Sequence, residues 1–204
     1  MKFASRNDLE IAIKHQVREN VFNAFRKVDR KIFVPENYQR YAYLDKPITL
    51  DVNSTISQPT LVVEMIDVLA LKGSEKVLEI GTGSGYSSAL LSFCAKEVFT
   101  IENNKRLANS ARKRLKKLGF KNITIHLGDG AKGIPEKAPF DMIILTAAVT
   151  EVPPDLADQL TENGKMLLPL EGEQSDMQVL ILMIKHNAKF MEKEIMPVRF
   201  VPLT

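Results

Sequence analysis

From Lys76 to Leu170, short apolar runs alternate with segments of helical spacing, and this alternation leaves few folds open. "KVLEI", "EVFTIE", "NITIHLGD", "FDMIILTAA" and "GKMLLPL" each read as a strand. The segments between them place apolar residues at three- and four-residue intervals, as helices do. "FDMIILTAA" is nearly continuous in apolar residues, the mark of a strand covered on both faces. Strands alternating with helices predict a doubly wound, mainly parallel α/β sheet. The end of the chain breaks the rhythm. "MQVLILMIK" and "KFMEKEIMPVRFVPL" follow one another around "HNA" and predict an antiparallel hairpin closing the sheet.

Ahead of this region, residues 7–30 read as one or two helices, and "FVPENYQRYAYLDKPITLD" reads as irregular, broken by Pro35 and Pro47. Helical spacing returns over residues 60–71, with Pro59 suited to the first turn. The whole chain of 204 residues is expected to form a single domain, in which 1–58 is a helical lid and substrate segment and 59–204 the α/β core.

Composition excludes several classes. There is one cysteine, Cys94, so an internal disulfide is impossible. His15, His126 and His186 are too dispersed to suggest a metal site, and none is expected. No apolar run approaches the ~20 residues of a membrane span. "MKFASRNDLE" lacks the apolar centre of a signal peptide, so a cytoplasmic setting is expected. The net charge is +3. Its densest basic stretch, "NKRLANSARKRLKKLG", carries Leu107, Ala111, Leu115 and Leu118 at helical spacing and reads as a solvated helix face. It lacks the interleaved aromatics of a nucleic-acid groove, so no nucleic-acid partner is expected. Cys94 and Met65 lie on helical stripes and read as core. His126 lies within a strand and reads as a satisfied side chain.

The chemistry concentrates around "VLEIGTGSGY". Gly81, Gly83 and Gly85 stand between a strand and a helix, where glycine lets backbone approach a ligand and the helix start offers free N–H groups. Tyr86 stands where the dinucleotide fingerprint wants a third glycine. Glu102 ends the next strand, placed to take the two hydroxyls of a ribose, and Asp129 ends the one after, placed near a base. Helix capping would explain either acid alone.

"EIGTGSG" resembles the first motif of class I S-adenosylmethionine-dependent methyltransferases, which implies a seven-stranded, Rossmann-like sheet ending in an antiparallel hairpin. The fourth strand ends "LTAAV", without the Asn/Asp-Pro-Pro-aromatic pattern of enzymes that methylate nitrogen. No histidine or cysteine is placed as a general base. A carboxylate acceptor needs none, being ionised well above its normal pKa near 4.

A narrower resemblance covers the chain from about residue 15 onward. "FVPE", "AYLD", "TISQP", "VLEIGTGSGY", "GDG", "APFDMIILTAA" and "PVRFVPLT" occur in the order found in the protein-L-isoaspartate O-methyltransferase family. The resemblance implies methyl transfer from S-adenosyl-L-methionine, leaving S-adenosyl-L-homocysteine, to the α-carboxylate of L-isoaspartyl residues in damaged proteins and peptides. It implies Ser57 as the catalytic serine that also meets substrate. It implies Ser54, Thr55, Ile56, Gly81, Gly83, Gly85, Glu102, Asn103, Asp129, Gly130 and Thr204 at the cofactor, and Val201, Pro202 and Leu203 at the substrate backbone. A monomer is expected. On local sequence alone, Ser57 reads equally as the N-cap of the helix that follows. Asp51 stands where the family has glycine, and Asn53 where it has glycine or glutamine. An anion at Asp51 motivates a second reading, a related enzyme with another carboxylate acceptor.

Overall fold

Two faces of one sheet divide the apolar residues of each central strand. The computed structural model describes residues 5–52, 54–172, 177–187 and 189–204. Strands β1 (Ile48–Asp51) and β2 (Ser54–Ile56) form a small antiparallel pair of their own. The main sheet contains β3 (Lys76–Ile80), β4 (Glu97–Glu102), β5 (Ile123–Leu127), β6 (Phe140–Leu145), β7 (Leu160–Glu171), β8 (Gln178–His186) and β9 (Lys189–Val198). Their order across it is β5-β4-β3-β6-β7-β8-β9. Strands β3 to β7 are parallel, and β8 runs against both of its neighbours. The seven-stranded α/β sheet with a closing hairpin matches the sequence expectation.

Period-two alternation sorts side chains between two cores. Val77, Ile144 and Leu167 join one cluster, and Leu78, Ile143 and Met166 the other. The first cluster includes residues of helices α1 (Arg6–Ile13), α2 (Glu19–Lys27), α3 (Pro59–Leu69), α4 (Tyr86–Ser92) and α5 (Lys105–Lys117). The second includes Leu156 of α6 (Pro154–Asp158) and Ile134. Cys94 and Met65 are buried in the first, as expected. The lysine-rich helix α5 buries Ala108, Ala111 and Leu115 and is capped by Asn104, whose Oδ1 accepts from the N–H groups of Arg106 and Leu107. Leu118, expected on its apolar stripe, is exposed just past the helix end. His126 is less settled than expected: its Nε2 is buried without a hydrogen-bond partner.

The segment read as irregular has more structure than its prolines suggested. A 3-10 turn, Arg30–Phe33, ends at its first residue; it then contains a second 3-10 turn at Glu36–Tyr41 and strand β1, which pairs with β2 just beyond it. Strands of four and three residues are too short to show a period. No helix among the described residues is long and apolar enough to cross a membrane.

Ile143 on β6 is fully buried between strands on both sides. Ile143→Ala is expected to cost about 2–5 kcal/mol through lost burial and the cavity left behind. A denaturant midpoint showing less than about 1 kcal/mol would mean that this layer is loosely packed.

Candidate active site

The chain runs from β3 outward through β4 and β5, then crosses to β6 on the other side of β3. Ligand crevices of open α/β sheets form at this kind of reversal, beyond the carboxyl ends of the strands. Gly81 follows β3 and Thr146 follows β6. The Thr146 N–H donates to the Ile80 carbonyl at 2.9 Å, and its hydroxyl lies 2.9 Å from the Gly81 carbonyl. Gly81 has φ +97°, and a Cβ there would overlap Thr146 Oγ1. Both conditions require glycine.

Two adjoining chambers open here, sharing Thr55, Gly81, Gly83 and Thr146 in their walls. The first is also lined by Ile56, Ser57, Met65, Ser84, Tyr86, Ser87 and Phe200. The second is also lined by Ser54, Ile101, Glu102, Asn103, Gly130 and residues 201–204. A Cβ on Gly130 would lie 2.6 Å from Ile80 Cγ2 and 3.1 Å from Leu203 Cδ1, so the wall is closely built there.

Glu102 is pinned at the mouth of the second chamber. Its Oε2 accepts from the Gly83 N–H at 2.8 Å and its Oε1 from the Asn104 N–H at 3.0 Å. Each oxygen keeps a further acceptor site. The terminal segment forms the opposite wall. Leu203 N–H donates to the Ala148 carbonyl at 2.7 Å, and the Asn103 amide donates to the Thr204 carbonyl at 2.6 Å and hydroxyl at 3.0 Å. Gln178 holds Phe200 through both backbone groups, accepting from its N–H at 2.6 Å and donating to its carbonyl at 3.2 Å.

Behind the glycine loop, Glu79 is fully buried. Its Oε2 accepts from the hydroxyls of Ser88 and Thr100, while its Oε1 has no partner. Burial pushes this carboxyl up to about 7, against the opposing pull of Ser88 and Thr100. Thr100 continues to Thr82 of the loop, oxygen to oxygen at 2.7 Å. Among the described lining residues there is no histidine, cysteine or lysine. Burial raises the Tyr86 phenol, so it stays protonated.

The model of the family described as protein-L-isoaspartate(D-aspartate) O-methyltransferase matches residues 6–204. The chain belongs to this family. It is 43% identical over 203 residues to a protein-L-isoaspartate O-methyltransferase of Dictyoglomus turgidum, across 99% of this chain and 91% of the relative. It is 44% identical over 189 residues to that of Ignicoccus hospitalis, across 91% of this chain and 89% of the relative. A solved protein-L-isoaspartate O-methyltransferase superposes with TM-score 0.89 at 29% identity, over 97% of this chain and 65% of that longer one. A structure described as a beta-aspartate methyltransferase of Plasmodium falciparum, in complex with S-adenosyl-L-homocysteine, superposes with TM-score 0.84 at 26% identity, over 96% of each chain.

Within this methyltransferase the sequence-predicted residues divide. Ser54, Thr55, Gly81, Gly83, Glu102, Asn103, Gly130, Val201, Pro202, Leu203 and Thr204 gather at the second chamber, and Ile56 and Ser57 at the first. Gly85 and Asp129 line neither chamber. Gly85, at φ +85°, starts α4 where a Cβ would lie 3.2 Å from Leu115 Cδ1, so it admits α5 close by. Asp129 is exposed and its Oδ1 accepts from the Ala131 N–H at 2.9 Å, a capping bond.

Ser57 is not the cap of α3. Gln58 holds that position, without a side-chain cap bond, and Asp45 supplies the carboxylate that accepts from the Thr60 N–H at 3.1 Å. Among the described residues no group hydrogen-bonds the Ser57 hydroxyl, which faces a chamber uncommitted.

Asp51 lines neither chamber. Its carboxylate accepts from Val52 N–H at 2.9 Å and from the Asn104 amide at 3.3 Å, with Arg106 Nη2 at 3.7 Å. The Val52 bond and Arg106 hold it below the usual carboxylate range. The anion that motivated another acceptor is thus engaged at the start of α5. Asn53 lies outside the described residues. Sequence reasoning missed Thr146, Tyr86 and Phe200; for Thr146, its place one residue beyond a buried strand was the available signal.

Gly81→Ala is expected to weaken binding of S-adenosyl-L-homocysteine by at least about tenfold in calorimetry, because the strained φ and the Thr146 overlap displace the loop. Glu79 gives a pH prediction. Its folded pKa lies above the ordinary 4.5, so its stability contribution is full below 4.5 and is lost as pH rises through about 7. Glu79→Gln is therefore expected to gain on the native protein in melting temperature between those pH values, and a constant difference would contradict this.

Proposed function

We infer that this chain methylates the α-carboxylate of L-isoaspartyl residues in damaged proteins and peptides, with S-adenosylmethionine as donor. The observation that carries this reading is the Ser57 hydroxyl, uncommitted beside the glycine loop in a chamber whose walls offer no general base. Family membership over residues 6–204 supports the same activity.

The residues present fit the cofactor. The second chamber offers a pinned carboxylate to a ribose diol, a close apolar wall at Ile101 and Gly130 to a base, and glycine backbone to the amino-acid end. When bound, S-adenosylmethionine would supply a sulfonium-activated methyl group that can pass to a carboxylate oxygen, with the thioether S-adenosyl-L-homocysteine as leaving group. The chain's own part is positional. Gly81 and Gly83 bring backbone against the junction of the two chambers. Ser57 donates to one oxygen of the acceptor carboxylate and so aims the other. Residues 201–204, held by Ala148 and Asn103, close the cleft against water. An acceptor with a normal pKa near 4 arrives ionised, so no proton has to be taken from it. Alignment and exclusion of water then supply most of the acceleration. The following backbone nitrogen attacks the ester carbonyl and methanol leaves, closing a succinimide, and water reopens that ring to give normal aspartate in part; this is the repair.

Transfer of label from S-adenosylmethionine to an isoaspartyl peptide, and not to its aspartyl twin, tests the reading; absence of a base-labile methyl ester on the isoaspartyl peptide would refute it. Ser57→Ala is expected to lower kcat by about ten- to a hundredfold, the loss of one positioning donor. S-adenosyl-L-homocysteine affinity is expected to stay within about twofold, and equal loss of both would mark Ser57 as structural.

A further inference from the structure

Behind Ser57 lies a buried cation with no carboxylate in contact among the described residues. Arg30, in the first 3-10 turn, is 2% exposed. Its Nη1 donates to the Ala42 carbonyl at 2.6 Å, and its Nη2 donates to the carbonyls of Lys46 and Ser57, each at 3.0 Å. Its Nε has no hydrogen-bond partner among the described residues. Asp45 is the acid that acts on it electrostatically, yet that carboxylate is committed to Thr60.

Stability alone does not account for this arrangement. Desolvating a guanidinium costs several kcal/mol, and a carbonyl returns less than a carboxylate does. A well-packed apolar side chain would often serve stability as well. What the guanidinium provides is geometry: a planar fork whose donors have fixed directions. The carbonyls it gathers lie on both sides of the β1–β2 pair. Ala42 and Lys46 flank the approach to β1, and Ser57 follows β2 with no helix or strand of its own. Ser57 stands one residue outside β2 and two before α3, so neither element's ladder fixes its carbonyl. The Arg30 Nη2 bond does.

The turn that carries Arg30 also packs on the wall of the first chamber. Tyr86 lines that chamber with Ser57, and Phe33, from the turn that carries Arg30, packs on Tyr86 with ring centroids 5.6 Å apart.

We propose that Arg30 is a positioning residue for methyl transfer: its fork, bonded to the carbonyls of Ala42, Lys46 and Ser57, sets where the Ser57 hydroxyl stands against the glycine loop. The proposal rests on the reading of Ser57 as the group that orients the acceptor.

The test is a double-mutant cycle with the full chain: native, Arg30→Lys, Ser57→Ala and the double variant. Lysine keeps the charge and loses the fork. Arg30→Lys is expected to lower kcat at least about tenfold, with peptide KM and S-adenosyl-L-homocysteine affinity within about twofold. The double variant is expected to be no slower than the slower single variant, because both changes remove one function. Losses that multiply, an unchanged kcat in Arg30→Lys, or a matching loss of S-adenosyl-L-homocysteine affinity would each overturn the proposal. A Ser57→Ala enzyme with full kcat would overturn the reading of Ser57 itself, and that single variant shows it. Should Arg30→Lys fail to fold, the Ser57 carbonyl is weakened instead, by placing the α-hydroxy analogue of glutamine at position 58 to give an ester bond. The expected result is a lower kcat with S-adenosyl-L-homocysteine affinity retained, and an unchanged kcat would overturn the proposal.

Discussion

The sheet parts beyond the ends of β3 and β6, and the Thr146 hydroxyl sets how that parting is built. It bonds the carbonyls of Ile80 and Gly81 at once, at 3.0 and 2.9 Å, and leaves no room for a side chain on Gly81. The glycine loop therefore stays close to the strand end, and its Gly83 N–H reaches Glu102 on the neighbouring strand. Glu102 in turn accepts from Asn104, which caps α5 and reaches Asp51 on the β1–β2 pair. One chain of contacts thus joins two central strands, a long helix and the small sheet over the cleft. Moving any member would disturb the shape of both chambers.

Two buried ionisable groups stand behind this frame without an opposite charge in contact. Glu79 relies on hydroxyls and Arg30 on carbonyls. Dipoles substitute for counter-ions in both places. They leave the cleft walls rigid without adding a base or an anion to them, which suits an acceptor that is itself anionic.

The core of this fold was legible because period-two and helical spacings are imposed by burial on both faces of the sheet. Glu102 was legible because a strand end in this topology points at the crevice. Other positions have structural uses that local sequence does not show. Glycine answers equally to ligand approach and to helix packing, and Gly85 serves packing against Leu115. Asp129 satisfies the orphan N–H of its own turn, a use that sequence cannot separate from binding a base. A helix cap stayed open as the alternative for Ser57 because Asp45, fifteen positions before Thr60, does the capping across space. Asp51 read as a hazard because its partners Asn104 and Arg106 lie far along the chain. Thr146 and Arg30 carry no local motif; their meaning lies wholly in which carbonyls the fold brings to them.

The strand β9 forms one edge of the main sheet. An enzyme for damaged proteins must meet chains whose own strands have come loose, and an open edge invites them to pair. Here that edge carries Glu192, Lys193 and Glu194 in a row of exposed positions, a register shift opposite Leu180 and Ile181, and Pro197 without an N–H to offer. Each feature discourages a further strand from docking. The open side of the sheet is thus shielded from pairing with a loosened strand of another chain.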